Sequence, residues 1–321
     1  MKNLLDNRIS SKFVNICTGL RVHYLECNDN KKNLPTILLL HGFPELSFSW
    51  RKVMPILFEK GFRVIAIDQR GYGKTVGGSK KFNEDINQYN LFNLSLDIIS
   101  FLDKIKIKKI NILIGHNAGS IVAGTAALIR PDIFNSLVMM SAPFTGVPKT
   151  NDHNSKDNIH EELKLLSPPR KHYQWYYSSN KANKDMHLKN KSELHKFLRC
   201  YFHVKSADWP MNKPFELKSW SAKELGKLPE YYIMKFEDTM VDSVMKYYPD
   251  KNVFNKWLND KELDVYTNYF YKNGFQSSLN WYRCMTSKNY NDNLKIFDGK
   301  LLKVPSIYIS GEKDWGMFQK P

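Results

Sequence analysis

The sequence predicts an α/β protein with a mostly parallel, doubly wound sheet and an inserted helical segment. Short apolar runs alternate with helical spacing through about the first 140 residues, which is the pattern of a parallel sheet flanked by helices. The run 36–40 is almost wholly apolar, as expected for a strand that is buried on both faces. From about residue 145 to 295 the alternation stops and Tyr, Trp, Lys and Asn dominate, so this part is predicted to be a helical insertion.

Each element follows from its local pattern. Runs of β-favouring residues predict a hairpin at 13–27 and strands at 36–40, 63–67, 110–114, 137–140 and 304–310. Helical spacing predicts helices at 47–60, 91–106 and 118–130, and in the insertion at 192–201, 221–228 and 260–273. His41, Asp68 and Asn117 each follow a strand. Because ligands of such sheets lie at the carboxyl ends of the strands, we expect these three residues to share one crevice.

The composition is that of a globular protein. Its 321 residues are 42% hydrophobic and 13% aromatic, which is enough apolar surface for a substantial core. Lys and Arg (48) outnumber Asp and Glu (32), which gives a net charge of +16. Such a charge suits a nucleic-acid or anionic-membrane partner. No basic run is long and no known nucleic-acid motif is present, so we favour lysines spread over the surface and expect no nucleic-acid partner.

The location follows from cysteine usage and from hydropathy. The four cysteines lie far apart and form no CxxC pair, which favours reduced thiols and a cytoplasmic protein. The first residues lack the apolar core of a signal peptide, because charge and Asn interrupt it at once. The longest aliphatic runs are too short to span a bilayer, so we expect no membrane insertion. Nothing in the sequence predicts the oligomeric state.

The stretch 111–120 is the most informative part of the sequence. An apolar strand ends at Gly115, and a second glycine, Gly119, lies at the start of the helix that follows. This strand, turn and helix resemble the nucleophile elbow of α/β-hydrolases, whose usual form is Gly-x-Ser-x-Gly. Its glycines are needed because the apex backbone is strained and its neighbours approach closely. The apex of this elbow is Asn117, and an amide is not a nucleophile.

Further motifs occur in the order found in one branch of that fold. They are His41-Gly42-Phe43-Pro44, Asp68-Gln69-Arg70-Gly71-Tyr72-Gly73, Gly115-His116-x-x-Gly119 and Gly311-Glu312-Lys313-Asp314. In the insertion, His172-Tyr173-Gln174-x-Tyr176 and Asn280-Trp281-Tyr282-Arg283 are similar to cap segments that carry paired tyrosines. With these motifs the chain resembles the epoxide hydrolase branch of the α/β-hydrolase fold from about residue 13 to 321. Each motif is of moderate specificity, but their order and spacing together are specific.

The resemblance implies a fold, a reaction and a set of residues. The fold is an α/β-hydrolase core at 1–144, a helical cap at 145–295 and a second part of the core at 296–321. The reaction opens an epoxide to a vicinal diol through an alkyl-enzyme ester, on a small apolar substrate and without metal or organic cofactor. The implied residues are Asn117 at the nucleophile position, Asp314 as the acid, Tyr173 and Tyr282 as ring-opening donors, and the N–H groups of Phe43 and Ala118 as the oxyanion hole. The Phe43–Pro44 bond is expected to be cis, so that the Phe43 N–H faces the pocket.

Each of these residues also has a structural explanation. A tyrosine in an aromatic-rich helical lobe usually packs in a core. Asp314, which follows a strand, could be a turn or N-cap residue. His41 is expected to brace the oxyanion loop and His116 to pack beside the elbow, so neither is predicted to be the base.

The chain departs from the epoxide hydrolase pattern in two places. The elbow carries Asn117 where the branch has aspartate, and an amide is very poor at attacking carbon. The histidine that should follow Asp314 is missing, since the last histidine of the chain is His203. The final strand, histidine loop and helix of the fold are missing as well, which predicts a truncated copy of a longer chain. We therefore expect very low or no turnover.

Two other classes of hydrolase and a non-catalytic homologue are alternatives to an epoxide hydrolase. A haloalkane dehalogenase also uses an aspartate at the elbow, but paired cap tyrosines argue against it. A serine esterase is excluded because position 117 holds neither Ser nor Cys. A catalytically inactive ligand-binding homologue, or a gene fragment, is favoured by Asn117 and by the missing histidine. Deamidation of Asn117 to Asp by an activated water would need that histidine, so it is not expected in this chain.

Overall fold

The fold is given by a computed structural model that describes residues 4–29, 32–150, 158–249, 257–287 and 289–318. In the described residues the strands are β1 (Ser10–Asn15), β2 (Arg21–Cys27), β3 (Thr36–Leu40), β4 (Arg63–Ile67), β5 (Ile112–His116), β6 (Leu137–Met140), β7 (Arg170–His172), β8 (Ile233–Lys235) and β9 (Ser306–Ile309). The α-helices of the same residues are α1 (Met54–Glu59), α2 (Leu91–Lys104), α3 (Ala118–Ile129), α4 (Ile159–Lys164), α5 (Tyr173–Ser178), α6 (Ala182–Met186), α7 (Lys191–Val204), α8 (Ala222–Leu225), α9 (Met240–Met245), α10 (Asp260–Asn273) and α11 (Gln276–Thr286).

Contacts divide the chain into two compact units. The first unit contains Met1–Asn151 and Ser287–Ser310, and the second contains Asp152–Thr286 and Gly311–Pro321. These units are groups of contacts and not evolutionary domains. The domain boundaries predicted at residues 144 and 295 therefore stay a prediction.

The first unit is built on one sheet. Its described strands have the order β1-β2-β4-β3-β5-β6-β9. The pairs β1–β2 and β2–β4 are antiparallel, and the other pairs are parallel. Strand β3 is buried along its whole length, as expected for a central parallel strand with both faces covered. The predicted α/β class with a mostly parallel sheet is confirmed.

The register of the central strands positions the candidate site. Leu40, the last residue of β3, is paired with Ile67 of β4 and with Gly115 of β5. The loops that follow these three strands therefore leave the sheet at the same edge. One helix differs from the prediction here, because the segment predicted at 47–60 is a 3₁₀ helix at Ser47–Lys52 followed by α1. Pro55, which has no N–H to donate, lies in the first turn of α1, where that donor is not needed.

The second unit is mainly helical and has an aromatic core. The largest fully buried side chains of this core include those of Tyr177, Phe197, Phe270 and Phe275. The rings of Phe270 and Phe275 are stacked with centroids 4.3 Å apart. Strands β7 and β8 pair antiparallel in a small sheet that the sequence did not predict. Three-residue strands are too short to display the two-residue period from which strands are inferred. In the described part of the chain, no helix has the length and apolar character needed to cross a membrane.

Candidate active site

Asn117 occupies the turn between β5 and α3. Its backbone has φ 53° and ψ −124°, a region that residues other than glycine rarely adopt. The turn is held on both sides, because the Asn117 N–H donates to the Met140 carbonyl at 2.9 Å and its carbonyl accepts from the Ser120 N–H at 2.9 Å. A strained apex that neighbouring hydrogen bonds enforce is the geometry of a nucleophile elbow.

Two glycines bring the loop after β3 against this elbow. A Cβ atom at Gly119 would lie 2.4 Å from the His41 carbonyl oxygen, and one at Gly42 would lie 2.5 Å from the Asn117 Cβ. Both distances are shorter than a carbon atom allows. The close contact between the loop and the elbow therefore requires glycine at both positions.

The Asn117 side chain lies against a backbone donor of that loop. The Phe43 N–H donates to the Asn117 Oδ1 at 3.2 Å. The Phe43–Pro44 bond is cis, as predicted. Ala118 is the first residue of α3, so its N–H is one of the donors that a helix leaves without an intrahelical partner. The Asn117 Oδ1 thus accepts a backbone hydrogen bond from the loop that follows β3.

His41 is a structural residue of this loop. Its Nδ1–H donates to the Gly42 carbonyl at 2.9 Å, and its Nε2 accepts from the Gln69 N–H at 3.2 Å. The Gln69 side chain donates back to the His41 carbonyl at 2.6 Å. Complete burial lowers the pKa of His41, which favours the neutral ring that this bonding pattern needs. His41 therefore braces the loop, as the sequence suggested.

Glu45 is a site residue that sequence reasoning missed. Its Oε2 accepts from the Gly42 N–H at 2.9 Å and from His116 Nδ1 at 2.7 Å. Burial alone would raise the pKa of Glu45, but His116 and the Gly42 N–H lower it to about 2. This ionised carboxylate joins the oxyanion loop to the residue that precedes Asn117. Its position directly after His41-Gly42-Phe43-Pro44 was the only available signal in the sequence.

Asp68, which follows β4, organises the neighbouring loop. Its carboxylate lies 2.6 Å from His23 Nδ1 and accepts from the Ser47 N–H at 2.8 Å and the Lys74 N–H at 2.9 Å. Burial opposes ionisation, but these partners hold the pKa of Asp68 below its usual range. Arg70 forms a two-point pair with Asp97 of α2, at 2.7 and 2.6 Å. The loop after β4 is therefore a rigid structural neighbour of the elbow.

Tyr173 and Tyr282 lie close to each other in the second unit. Their ring centroids are 6.1 Å apart, and Tyr177 contacts both rings in edge-on geometry. Both residues are buried, with exposures of 9% and 6%. The Tyr173 hydroxyl accepts from the Gln174 side chain at 3.3 Å, and burial raises the pKa of Tyr173 to about 12. The Tyr173 side chain is thus a protonated hydroxyl at neutral pH.

Asp314 is also part of the second unit. Its side chain accepts from the Gly316 N–H at 2.7 Å and caps the 3₁₀ turn Trp315–Met317. Asn212 holds this loop by donating to the Lys313 carbonyl at 2.9 Å. The negative charge of Asp314 acts on Lys205, whose Nζ lies 4.3 and 4.4 Å from the ring centroids of Tyr231 and Tyr232. Lys205 is a second residue that sequence reasoning missed.

The site residues implied by the resemblance therefore fall into two groups. Phe43, Asn117 and Ala118 are brought together in the first unit. Tyr173 and Tyr282 are neighbours in the second unit, which also contains Asp314. In the described residues, no group of three or more His, Cys, Asp or Glu side chains is arranged to hold a metal ion.

The comparison with known families agrees with the elbow geometry. A family model described as alpha/beta hydrolase fold matches residues 35–320, which is most of the chain. The chain belongs to the α/β-hydrolase fold family.

This α/β-hydrolase is similar to proteins named as epoxide hydrolases. It is 28% identical over 308 residues to bifunctional epoxide hydrolase 2 of Mus musculus, covering 96% of this chain and 48% of that protein. It is 28% identical over 315 residues to epoxide hydrolase B of Mycobacterium tuberculosis, covering 94% of this chain and 83% of that protein. The chain thus spans about half the length of the mammalian relatives that it matches.

Solved structures show the same likeness. Epoxide hydrolase I of potato (Solanum tuberosum) superimposes with a TM-score of 0.65 at 28% identity, over 95% of this chain and 82% of that one. An epoxide hydrolase from an endophytic Streptomyces has a TM-score of 0.74 at 22% identity, over 97% of this chain and 82% of that one, and supports the fold. The predicted resemblance to the epoxide hydrolase branch is confirmed.

Proposed function

We propose that this chain is an epoxide hydrolase-type α/β-hydrolase whose nucleophilic step is impaired by Asn117. The hydrogen bond from the Phe43 N–H to the Asn117 Oδ1 carries the proposal, since it places the apex side chain against one of the two proposed oxyanion donors. An aspartate in this place would present one oxygen to those donors and the other to a substrate carbon. The proposed substrate is a small apolar epoxide, and the proposed reaction needs neither metal nor organic cofactor.

The reaction has two steps. In the first, a carboxylate oxygen at position 117 would form a bond to an epoxide carbon while the carbon–oxygen bond of the ring breaks. Tyr173 and Tyr282 would donate hydrogen bonds to the departing oxygen, and the proximity of their rings, with centroids 6.1 Å apart, supports a shared role. In the second, a base held by Asp314 would activate water to cleave the ester, with the charge held by the Phe43 and Ala118 N–H groups.

Asn117 blocks the first step. Its amide is neutral and its nitrogen lone pair is delocalised into the carbonyl group, so neither atom attacks carbon well. Loss of a nucleophile in other hydrolases lowers turnover by at least about 10³-fold. The chain as it stands is therefore proposed to have very low or no turnover.

Two further features belong to this proposal. The core is proposed to comprise residues 1–144 and 296–321, and the cap is proposed to comprise residues 145–295. The cysteines that the structure describes as free thiols support a cytoplasmic location, since disulfides are rare there.

The test is to trap the ester on Asn117→Asp. This variant, incubated with styrene oxide, should gain the mass of one epoxide, because ring opening expels no leaving group and the 321 residues tested contain no histidine after Asp314 to promote ester cleavage. Intact-mass measurement and peptide mapping to residue 117 would detect the adduct. The parent chain and Asn117→Ala should show none. Diol formation by the parent would contradict the assigned effect of Asn117, and absence of an adduct on Asn117→Asp would overturn the proposed reaction.

A ligand-binding homologue without chemistry is a second candidate. It is favoured by Asn117, whose side chain accepts the hydrogen bond from Phe43 that an aspartate would accept. The amide lacks the nucleophilic reactivity of an aspartate. The parent chain should then bind styrene oxide or its diol reversibly, and Asn117→Asp should form no adduct. Calorimetric titration beside the mass measurement separates the two candidates.

A further inference from the structure

A polar cavity of about 630 Å³ lies in the first unit, at the edge of the sheet where the central strands begin. It is lined in part by Lys32, Arg63, Lys106, Lys108, Lys109 and Asn111. These residues belong to the segments that lead into β3, β4 and β5. Strands of five residues separate this edge from the edge of Asn117 by about 16 Å. The cavity is therefore distinct from the candidate active site.

The floor of the cavity is fixed by hydrogen bonds between adjacent strand ends. The Thr36 N–H donates to the Asn111 side-chain oxygen at 2.8 Å, and the Asn111 N–H donates to the Thr36 carbonyl at 3.0 Å. The Arg63 N–H donates to the Pro35 carbonyl at 2.9 Å. The polar backbone groups of these strand ends are thus satisfied, and the charged side chains are left to define what the cavity binds.

One wall is a helix end with a lysine in an unusual conformation. Lys106 has φ 60°, its N–H donates to the Asp103 carbonyl at 3.0 Å, and the Ile107 N–H donates to the Leu102 carbonyl at 2.9 Å. These two bonds form a Schellman motif at the end of α2, in which glycine normally takes the left-handed position. A lysine that occupies this position starts its side chain from a fixed backbone at the wall of the cavity.

The charges around the cavity are unbalanced. Arg63 is neutralised by Glu26, with Nε 2.7 Å from Oε1, and Lys32 Nζ lies 3.6 Å from Asp29 Oδ2. In contrast, Lys106, Lys108 and Lys109 are exposed and form no ion pair with any residue that the structure describes. The described residues that line the cavity include no Asp or Glu. The charge of Lys109 acts on Asp132, but that carboxylate is already paired with Arg130. Three lysines that form no salt bridge with a described residue thus share one concave polar surface.

We propose that this cavity binds a compact, multiply charged oxyanion of the oligophosphate class. Its volume lies in the range of small-molecule sites, and lysine binds phosphate as a concentrated point charge. The described lining contains no aromatic side chain, so nothing there would stack a nucleobase. Three lysines without a salt bridge match a chain of phosphates better than a single phosphate. The site is independent of the epoxide reaction.

The first experiment is calorimetric titration of the whole chain with sodium tripolyphosphate at about 0.1 M NaCl. One site per chain is expected, with inorganic phosphate bound at least about tenfold more weakly because it places fewer charges near the lysines. The triple variant K106Q/K108Q/K109Q should weaken tripolyphosphate binding by about tenfold or more. The matched control K80Q/K81Q/K303Q removes three exposed lysines that do not line the cavity and should change the affinity less than about twofold.

A second measurement needs no variant. Tripolyphosphate should slow acetylation of Lys106, Lys108 and Lys109 in the parent chain, as followed by peptide mass spectrometry, and should leave Lys80, Lys81 and Lys303 unaffected. Equal weakening of binding in the two triple variants, or equal protection of the two sets of lysines, would mean that binding depends only on the overall charge of +16. Either result would overturn the proposed site. Absence of binding by the parent chain would overturn it as well.

Discussion

At the scale of single residues, the side chains around Asn117 hold the loop after β3 more firmly than the backbone alone would. Glu45 accepts from both Gly42 and His116, so one carboxylate ties the loop after β3 to the residue before the apex. The loop carries the Phe43 N–H, which donates to the Asn117 Oδ1 at 3.2 Å. A partly buried charge is retained here because it fixes a donor in space.

Glu45 should contribute stability only where its carboxylate is ionised. Its pKa is lowered from 4.5 to about 2, so this stability is present above about pH 4.5 and is lost as the pH falls towards 2. Glu45→Gln is expected to lower the free energy of unfolding by about 2 kcal/mol at neutral pH, with the difference from the parent shrinking below pH 4. Urea denaturation at a series of pH values measures it.

The control for this prediction is Glu84→Gln. Backbone hydrogen bonds also lower the pKa of Glu84, but its side chain is fully exposed, so the substitution should change stability little. A Glu45→Gln variant with the pH dependence of the parent chain would mean that the carboxylate does not hold the loop.

At the scale of elements, the strands that could be predicted are those whose burial is imposed by the sheet. The bounds of β3, β4 and β6 agree with the prediction. For β3 and β4 the reason is burial, because a strand covered on both faces must be a continuous apolar run. The helix predicted at 47–60 is in fact a 3₁₀ helix and an α-helix that meet at Val53. The hydrophobic pattern continues across Val53, so it did not indicate the change of helix type. Strands β7 and β8 escaped prediction because only pairing across 60 residues makes them strands.

The link between the loop after β4 and helix α2 depends on a buried ion pair. Arg70 and Asp97 are 5% and 7% exposed, and Thr18 also donates to Asp97 at 2.6 Å. Asp97→Ala should destabilise the fold by about 3–5 kcal/mol, because it leaves the Arg70 guanidinium buried without its carboxylate. The double variant R70M/D97L should lose less than Asp97→Ala, since it leaves no unpaired charge. Chemical denaturation of the variants measures this coupling.

A matched surface pair separates burial from charge. Arg130 and Asp132 form a similar two-point contact at 2.8 and 2.6 Å, but their side chains are 42% and 64% exposed. Asp132→Ala should cost less than about 1 kcal/mol. Similar losses for Asp97→Ala and Asp132→Ala would mean that the buried pair does not organise the loop.

At the scale of the whole molecule, fold and family were predictable from motifs in the sequence, and contacts between distant residues were not. The order of motifs along the chain predicted the fold and the epoxide hydrolase resemblance, and the need to turn the Phe43 N–H towards the pocket predicted the cis bond before Pro44. Glu45 and His116 are 71 residues apart, and their pairing exists only after folding. Lys205 and the tyrosines around it come from separate elements of the second unit, so no spacing in the sequence could indicate their contact.

Lys205 should make the stability of the whole chain depend on pH near neutrality. Its Nζ is surrounded by the rings of Tyr173, Tyr201, Tyr231 and Tyr232, and Asp314 is the negative charge that acts on it. Burial lowers the pKa of Lys205 from 10.5 to about 7, although Asp314 opposes this change. The unfolded chain therefore binds this proton up to about pH 10.5, and the folded chain releases it near pH 7.

A group that binds its proton more tightly in the unfolded chain destabilises the fold at low pH, so stability should rise as the pH increases from 7 to 9. Lys205→Met keeps the aliphatic stem and removes the charge. It should stabilise the chain by about 2 kcal/mol at pH 6.5 and flatten this rise, as measured by urea denaturation between pH 6.5 and 9. The control is Lys196→Met on α7. Lys196 is exposed, so this substitution should leave the pH dependence unchanged. A Lys205→Met variant that is less stable than the parent at pH 6.5 would show that contact of the ammonium with the tyrosine rings outweighs its loss of hydration.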